Sequence, residues 1–403
     1  LAKWARSRKG AYESGITPTL KSIDGPPAET IEAKTRLLSE AFFPAIPEAD
    51  LADINNAVYP DQVEFPEITR HEIEQVIRST PPDKAPGEDS IPNSFWHKIA
   101  CVPVVLETLY EIYNACVRTG YNPTHFQRSI TVVLRKSDTD QDYRTPKAYR
   151  PVALLNTLGK FLEAIVARRI SYAMEVYDLL PRSHLGDRKG ISTHHAIQII
   201  LDRIHESWGK GFAVVSMLLL DVSSAYDNAH HTRLLHNMRK RRLGHFMPWV
   251  AAFLTGQSTR IKIPEGISER IPTPTGIPQE SPISPILYLI YNSDLIEDCA
   301  DPTNHISTSG WVNNVRMMAA GHSKNDTITK LQQASATADQ WALHHASVFN
   351  KKKYQLIHFV NPRNDLVPSS QPITLQDGTQ KEASEAVKYL GIWLDSELTF
   401  NTH

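Results

Sequence analysis

Asp221 closes a run of four large apolar residues, Met217, Leu218, Leu219 and Leu220. Such a run reads as a strand buried on both faces that delivers a carboxylate to its end. A carboxylate so placed holds a metal ion or acts as a base. It also caps turns, and for an arbitrary Asp behind a buried strand the turn is the commoner role. Asp227 follows after Ala225 and Tyr226, and a helical pattern, Leu234, Leu235 and Met238, opens behind it. The choice between the two roles depends on the rest of the chain.

The elements that must position Asp221 are legible in chain order. Thr69 and Glu72 stand at capping-box spacing ahead of an Ile73, Val76, Ile77 stripe, which predicts a helix over 68–80. A turn-rich loop, DKAPGEDSIP, carries Lys84 and Gly87, and an amphipathic helix follows over 104–120. A strand over 129–138 ends in Arg135 and Lys136, and a short strand after Tyr149 and Arg150 passes into a long helix. The loop 179–197 presents Arg188 and Lys189 between Gly186 and Gly190. After the Asp221 strand come a helix ending in the basic run Arg239 to Arg242, a hairpin over 257–276, and GIPQESPISPI leading into an apolar helix. Residues 310–321 read as a hairpin split by Asn313 and Asn314. KKKYQLIHFV reads as a strand, and AVKYLGIWLD as a further hairpin.

Composition narrows the class. With 403 residues, 41% hydrophobic and 22% charged, the chain is globular in composition and long enough for two or three packed subdomains. Cys101, Cys116 and Cys299 have no paired ligand spacing, which argues against structural zinc and fits a reducing compartment. No apolar run is long enough to span a membrane, no leader is recognisable, and the localisation expected is intracellular, nuclear or cytoplasmic. A net charge of -1 gives no whole-chain pull toward nucleic acid but leaves room for local basic surfaces. The ends at Leu1 and His403 read as those of a piece cut from a longer chain.

Taken together and in this order, the motifs resemble the reverse-transcriptase domain of non-LTR (LINE-type) retrotransposons, most closely copies from fungal genomes. APG at 85–87, VVLRK at 132–136, YRPVALLNTLGKFLE at 149–163, LLPRSHLGDRKGIST, LLLDVSSAYDN, GIPQESPISP, GWVNNV, KKKYQL and KYLGIWLD carry the resemblance across 68–395. The resemblance implies an α+β right-hand polymerase fold. It places an N-terminal linker or helical extension at 1–67, fingers with the start of the palm at 68–212, the palm at 213–360, and a primer-grip hairpin with the start of a truncated thumb at 361–403.

It also implies a site. Nucleotide addition by this family uses two Mg2+ ions, which take hard oxygen ligands. By resemblance, Asp221, the carbonyl of Val222 and Asn313 occupy the metal positions, with Asn314 beside them and Lys353 as a proton donor to the leaving group. Lys136, Arg150, Tyr226 and Gln279 match nucleotide-binding positions. Gly87, Arg188, Lys189, Glu280, Tyr389, Leu390 and Gly391 match template and primer contacts. The implied partners are an RNA template, a DNA primer and deoxynucleoside triphosphates, with no membrane and no inferable protein partner.

The departures from the family matter as much as the matches. Asn313 and Asn314 stand where adjacent aspartates are expected, so the pocket keeps one of its usual carboxylates. Glu280 stands in place of a glycine, Asp187 in place of an aromatic residue, and Trp311 in place of a smaller one. Gly-to-Glu and Asp-to-Asn are both products of a single G-to-A change, as in the mutational silencing of repeated elements. The expectation is therefore a degraded, catalytically impaired or inactive polymerase domain. The alternatives are a non-catalytic nucleic-acid-binding or interaction protein that keeps the fold, and a remnant without activity.

Overall fold

The computed structural model describes residues 17–22, 25–45, 48–136, 142–188, 190–363 and 371–400. Its helices of seven residues or more are, in chain order, α1 (Ile31–Phe42), α2 (Arg70–Ser79), α3 (Asn93–Ile99), α4 (Pro103–Thr119), α5 (Thr157–Val176), α6 (Thr193–Gly209), α7 (His231–Lys240), α8 (Met247–Leu254), α9 (Ser284–Asp298) and α10 (Lys324–His344). The strands are β1 (Arg128–Arg135), β2 (Tyr149–Leu155), β3 (Val214–Ser223), β4 (Ser258–Ile263), β5 (Gly266–Pro272), β6 (Ile306–Trp311), β7 (Asn314–Gly321), β8 (Val348–Phe349), β9 (Gln355–Val360), β10 (Ile373–Thr374), β11 (Gln380–Lys381), β12 (Ala386–Tyr389) and β13 (Ile392–Asp395). Two compact units result. One comprises 1–46, 57–177 and 226–287, and the other 47–56, 178–225 and 288–403.

In the first unit the sheet runs β2-β1-β4-β5, antiparallel except for β1 against β4. Leu38 and Phe42 of α1 pack with Ala148, Tyr149, Ile261 and Ile263 in one apolar cluster. The 68–80 pattern forms α2, with the Thr69 side chain accepting from the Glu72 N–H and the Glu72 carboxylate accepting from the Thr69 N–H. Ile73, Val76 and Ile77 are its buried stripe, and the helix packs on α4 and α5.

In the second unit β3 is central: β7 pairs antiparallel along one edge, and β9 and then β8 along the other. Of the apolar run Met217 to Leu220, Met217, Leu218 and Leu220 are buried and Leu219 is half-buried. The sheet that buries β3 is antiparallel at each of its pairings among the described residues. A helix and a hairpin cover one face and a second helix the other. Val215 and Met217 meet Ile197, Ile200 and Ile204 of α6 and Val387, Tyr389 and Leu394 of the β12–β13 hairpin. The opposite face packs under α10, where the Ser216 and Thr327 hydroxyls lie 2.5 Å apart. The architecture is thus mixed α+β with mostly antiparallel sheets, consistent with a fingers-and-palm arrangement, and no thumb is identifiable among the described residues.

Candidate active site

Alternation along a strand puts Met217, Leu219 and Asp221 on one face of β3, and Met318, Arg316 and Asn314 on the same face of β7. The register pairs Asp221 directly with Asn314, and Leu219 with Arg316. β6 and β7 form a hairpin in which Trp311 pairs with Asn314, so its two-residue tip is Val312 and Asn313. The tip is therefore one residue earlier than the sequence indicated, with Asn314 inside the ladder. The shift depends on Val312 adopting φ +53°, a left-handed conformation that β-branched residues rarely take.

Neighbouring elements hold that turn. Gly310 N donates to Ser183 O, and Leu185 N donates to Gly310 O at 2.8 Å, so 183–185 runs as an extra edge beside β6. A Cβ on Gly186 would sit 2.6 Å from Val312 N, so only glycine permits this approach. The Asn292 amide Nδ2 donates to Val312 O at 2.7 Å, which turns its Oδ1 toward His184 Nε2, also at 2.7 Å. That orientation makes His184 Nε2 the donor. Both side chains are fully buried. His184 lies within the LLPRSHLGDRKGIST motif without a role assigned to it, and Asn292 belongs to no motif read from the sequence, although a polar residue within an apolar helix and a histidine near a glycine are a usable signal.

Asp221, Asn314, Lys353, Tyr389 and Leu390 come together in a cleft of about 430 Å³, also lined by Lys352 and Lys388. Lys353 Nζ lies 3.7 Å from Asp221 Oδ2, with both side chains well exposed, so the pair is loose. The Asp221 carbonyl accepts from Asn350 N at 2.8 Å, and Val222 pairs with Phe349 of β8. Lys351 to Lys353 form a 3-10 turn ahead of β9 where a continuous strand was expected. Leu390 and Gly391 form the tip between β12 and β13, both with positive φ, the geometry of a tight hairpin turn. Arg188 Nη1 faces the carbonyls of Pro181 and His184 in its own loop at 3.3 and 3.4 Å. Lys189 lies outside the described residues.

The remaining predicted residues belong to the first unit, where several are used internally. A Cβ on Gly87 would lie 2.3 Å from Asn156 Oδ1 and 2.6 Å from the Leu155 backbone. The loop of Gly87 is thus packed on the start of α5, where Asn156 Oδ1 also accepts from Asp89 N. Lys136 Nζ donates to Lys147 O at 2.7 Å, while Arg150 is exposed opposite Leu134 on β2. The Tyr226 carbonyl accepts from Ile277 N. Gln279 Nε2 donates to Asp227 Oδ1 at 2.9 Å, and burial pushes the Asp227 carboxyl up to about 6 against the pull of that hydrogen bond. Ser281 Oγ donates to Glu163, whose complete burial raises it to about 7. Between these two pairs sits Glu280 at φ +71°, a conformation suited to glycine and strained for glutamate.

Part of the basic run 239–242 is used within the protein. The Arg239 guanidinium lies over Tyr59 at 4.1 Å, Arg242 Nε donates to Asp61 O, and Arg241 is buried. Arg239 and Arg242 thus clamp the segment that precedes α2.

Residues 134–394 match the family model described as reverse transcriptase (RNA-dependent DNA polymerase). The chain belongs to this family. Over 340 residues it is 26% identical to the "Probable RNA-directed DNA polymerase from transposon BS" of Drosophila melanogaster, covering 82% of this chain and 36% of that protein. It is also 26% identical over 359 residues to the "RNA-directed DNA polymerase from mobile element jockey" of the same fly, covering 85% and 37%. The chain therefore spans little more than a third of the relatives it matches. A telomerase structure from Candida tropicalis superposes with a TM-score of 0.47 at 13% identity, covering 77% of this chain and 60% of that one, too loosely to bear on function.

Magnesium is the cofactor the family implies, and the donor set here fits two ions poorly. Asp221 supplies one carboxylate and its register partner Asn314 a neutral amide oxygen, while Asn313 stands in the hairpin tip and is not among the residues lining the cleft. Among the described residues no cluster of three or more His, Cys, Asp or Glu side chains is placed to hold a metal.

Proposed function

We propose that this chain is the RNA-directed DNA polymerase domain of a non-LTR retrotransposon, of the fungal type its motifs resemble, with impaired or absent catalysis. Its fingers occupy 68–212, its palm 213–360, and its primer grip and the start of a thumb 361–403. Asp221 takes the metal position, Asn313 and Asn314 the places of its lost partners, and Lys353 that of the proton donor. Lys136, Arg150, Tyr226 and Gln279 serve the nucleotide. Arg188, Lys189, Glu280, Tyr389, Leu390 and Gly391 serve template and primer, with Gly87 acting through the packing of its loop.

The observation that carries this reading is the register of β3 against β7, which sets Asp221 beside an amide. Glu280 at φ +71° supports it, since that backbone suits the glycine the family has there. No polymerase step through the two ions follows from this donor set. The lysines beside Asp221 favour a second reading, a nucleic-acid binder that keeps the cleft without the chemistry.

Primer extension on an RNA template with Mg2+ or Mn2+ tests the first reading, with Asp221→Ala as the control. The expected incorporation equals that of the control. Robust synthesis by the parent chain that Asp221→Ala abolishes would overturn the impairment.

A further inference from the structure

The first unit carries a groove of about 540 Å³ between α2 and α5, lined by none of the residues matched to nucleotide, template or primer. Helical spacing builds it. Ile165, Arg169 and Ala173 stand one turn apart along α5, with Arg168 and Tyr172 in the adjoining row. Val76 of α2, Val63 and Phe246 join Ile165 and Ala173 in a buried apolar floor, and Phe65 stacks on Phe246 with ring centres 4.3 Å apart. The rim is open: Tyr172 is 68% exposed and Tyr177 47%, and Gln75 and Arg168 are exposed beside them. An apolar floor with a few polar groups at its edge, at a volume within the roughly 300–1,000 Å³ of binding pockets, is the anatomy of a recognition site.

Charge narrows what it takes. Arg169 Nε and Nη2 donate to the Glu72 carboxylate at 2.7 and 2.8 Å, so those two lining charges neutralise each other. Glu64 adjoins Val63, whose N–H donates to the Arg242 carbonyl, and the Arg242 guanidinium lies 5.7 Å from the Tyr177 ring centre, so a cation is near that carboxylate too. Arg168 differs. Its Nη2 donates to Ser79 Oγ at 2.7 Å, a neutral partner at the close of α2, and it has no carboxylate partner among the described residues.

We infer that this groove docks a peptide segment of a partner protein, with an apolar side chain on the floor and a neighbouring acidic side chain paired with Arg168. The Gln75 amide and the Tyr172 hydroxyl, which have no hydrogen-bond partner among the described residues, are placed to meet its main chain. A nucleobase suits the floor poorly, because its ring nitrogens and carbonyls would be buried against Val76, Ile165, Ala173 and Phe246 with nothing to bond. A small molecule would remain open to water along the tyrosine rim, whereas a chain covers it. The inference does not depend on the state of the metal centre.

The test selects displayed random 12-residue peptides on the full chain, then measures the enriched peptides, synthesised with a fluorescent label, by anisotropy. The expected consensus is an aromatic or aliphatic anchor with Asp or Glu close by. Arg168→Glu and Tyr172→Ala are each expected to weaken binding about tenfold. A peptide with Lys in place of its acidic residue is expected to recover affinity for Arg168→Glu, which a merely unfolded variant cannot give. Both side chains are exposed, and far-ultraviolet spectra check the folding of each variant.

If no enriched peptide depends on Arg168 and Tyr172, the site is overturned. It is also overturned if labelled single-stranded RNA displaces the peptides and loses affinity in the same two variants, which assigns the groove to nucleic acid. Sedimentation velocity supplies the last arm: a dimer of the parent chain that Arg168→Glu dissociates assigns the groove to a second copy and overturns the separate partner.

Discussion

The two units use their polar residues in opposite ways. In the first, residues that a sequence reading assigns to nucleotide and template are engaged by neighbouring residues: Gly87 against Asn156, Lys136 on the Lys147 carbonyl, and Gln279 on a half-buried Asp227. In the second, residues scattered over 221–390 converge on an open cleft with one carboxylate among lysines. A motif position is thus no guide by itself to whether its side chain faces substrate or neighbour. The partners each side chain finds separate the two cases.

The sharpest way to break this contrast is Asp227→Asn in the first unit. The Asp227 carboxyl is raised from 3.8 to about 6 by burial, so the folded state holds its proton more tightly than the unfolded state does. The contribution to stability is present below about pH 4 and is lost as pH rises toward 6, costing on the order of 3 kcal/mol at neutral pH. Asp227→Asn is expected to stabilise the chain by about 2 kcal/mol at pH 7.5 and to flatten the slope between about pH 4 and 6. Urea midpoints at the two ends of that range measure both effects. A loss of stability at pH 7.5 would mean that Asp227 is ionised and paired.

Gly87→Ala comes next. The added methyl would overlap Asn156 and the Leu155 backbone, and overpacking of this kind costs about 2 kcal/mol. The midpoint is expected to fall with the m-value unchanged. An unaltered midpoint would return the loop to the surface role first read for it.

In the second unit, Asn313→Asp with Asn314→Asp restores two carboxylates near Asp221. Mg2+ affinity by calorimetry is expected to rise at least about tenfold, or about 1.4 kcal/mol. Affinity equal to that of the parent would show that charge at these positions is not what the cleft lacks. The smallest effect belongs to Glu280→Gly. Relief of the left-handed backbone is expected to stabilise by about 1 kcal/mol, offset in part by the added freedom of glycine when unfolded. A differential melt reads it as a rise in Tm.

Much of the frame was legible because it depends on local pattern. The apolar run before Asp221 gave a buried strand, and Thr69 with Glu72 gave a helix start. The hairpin tip was displaced by one residue because turn chemistry favours asparagine at positive φ, whereas here Val312 takes it under restraint from Gly186 and Asn292. Those restraints come from more than a hundred positions away in one case, as does the Tyr59 ring that occupies Arg239. Local pattern carries no trace of such contacts. Arg316, buried on β7 near Tyr389, was passed over for a related reason: a charged residue within a strand reads as solvent-facing until the hairpin that covers it is placed.

The bracket of Gly186, Asn292 and His184 around Val312 also separates what the hairpin needs for its shape from what its tip carries. The side chains of Asn313 and Asn314 are at least partly open to solvent, so substitution there has little effect on folding. Gly186 has no such freedom, because any larger residue collides with the Val312 backbone. The shape of the hairpin is therefore set by residues away from its tip, and substitution at 313 and 314 leaves that shape intact.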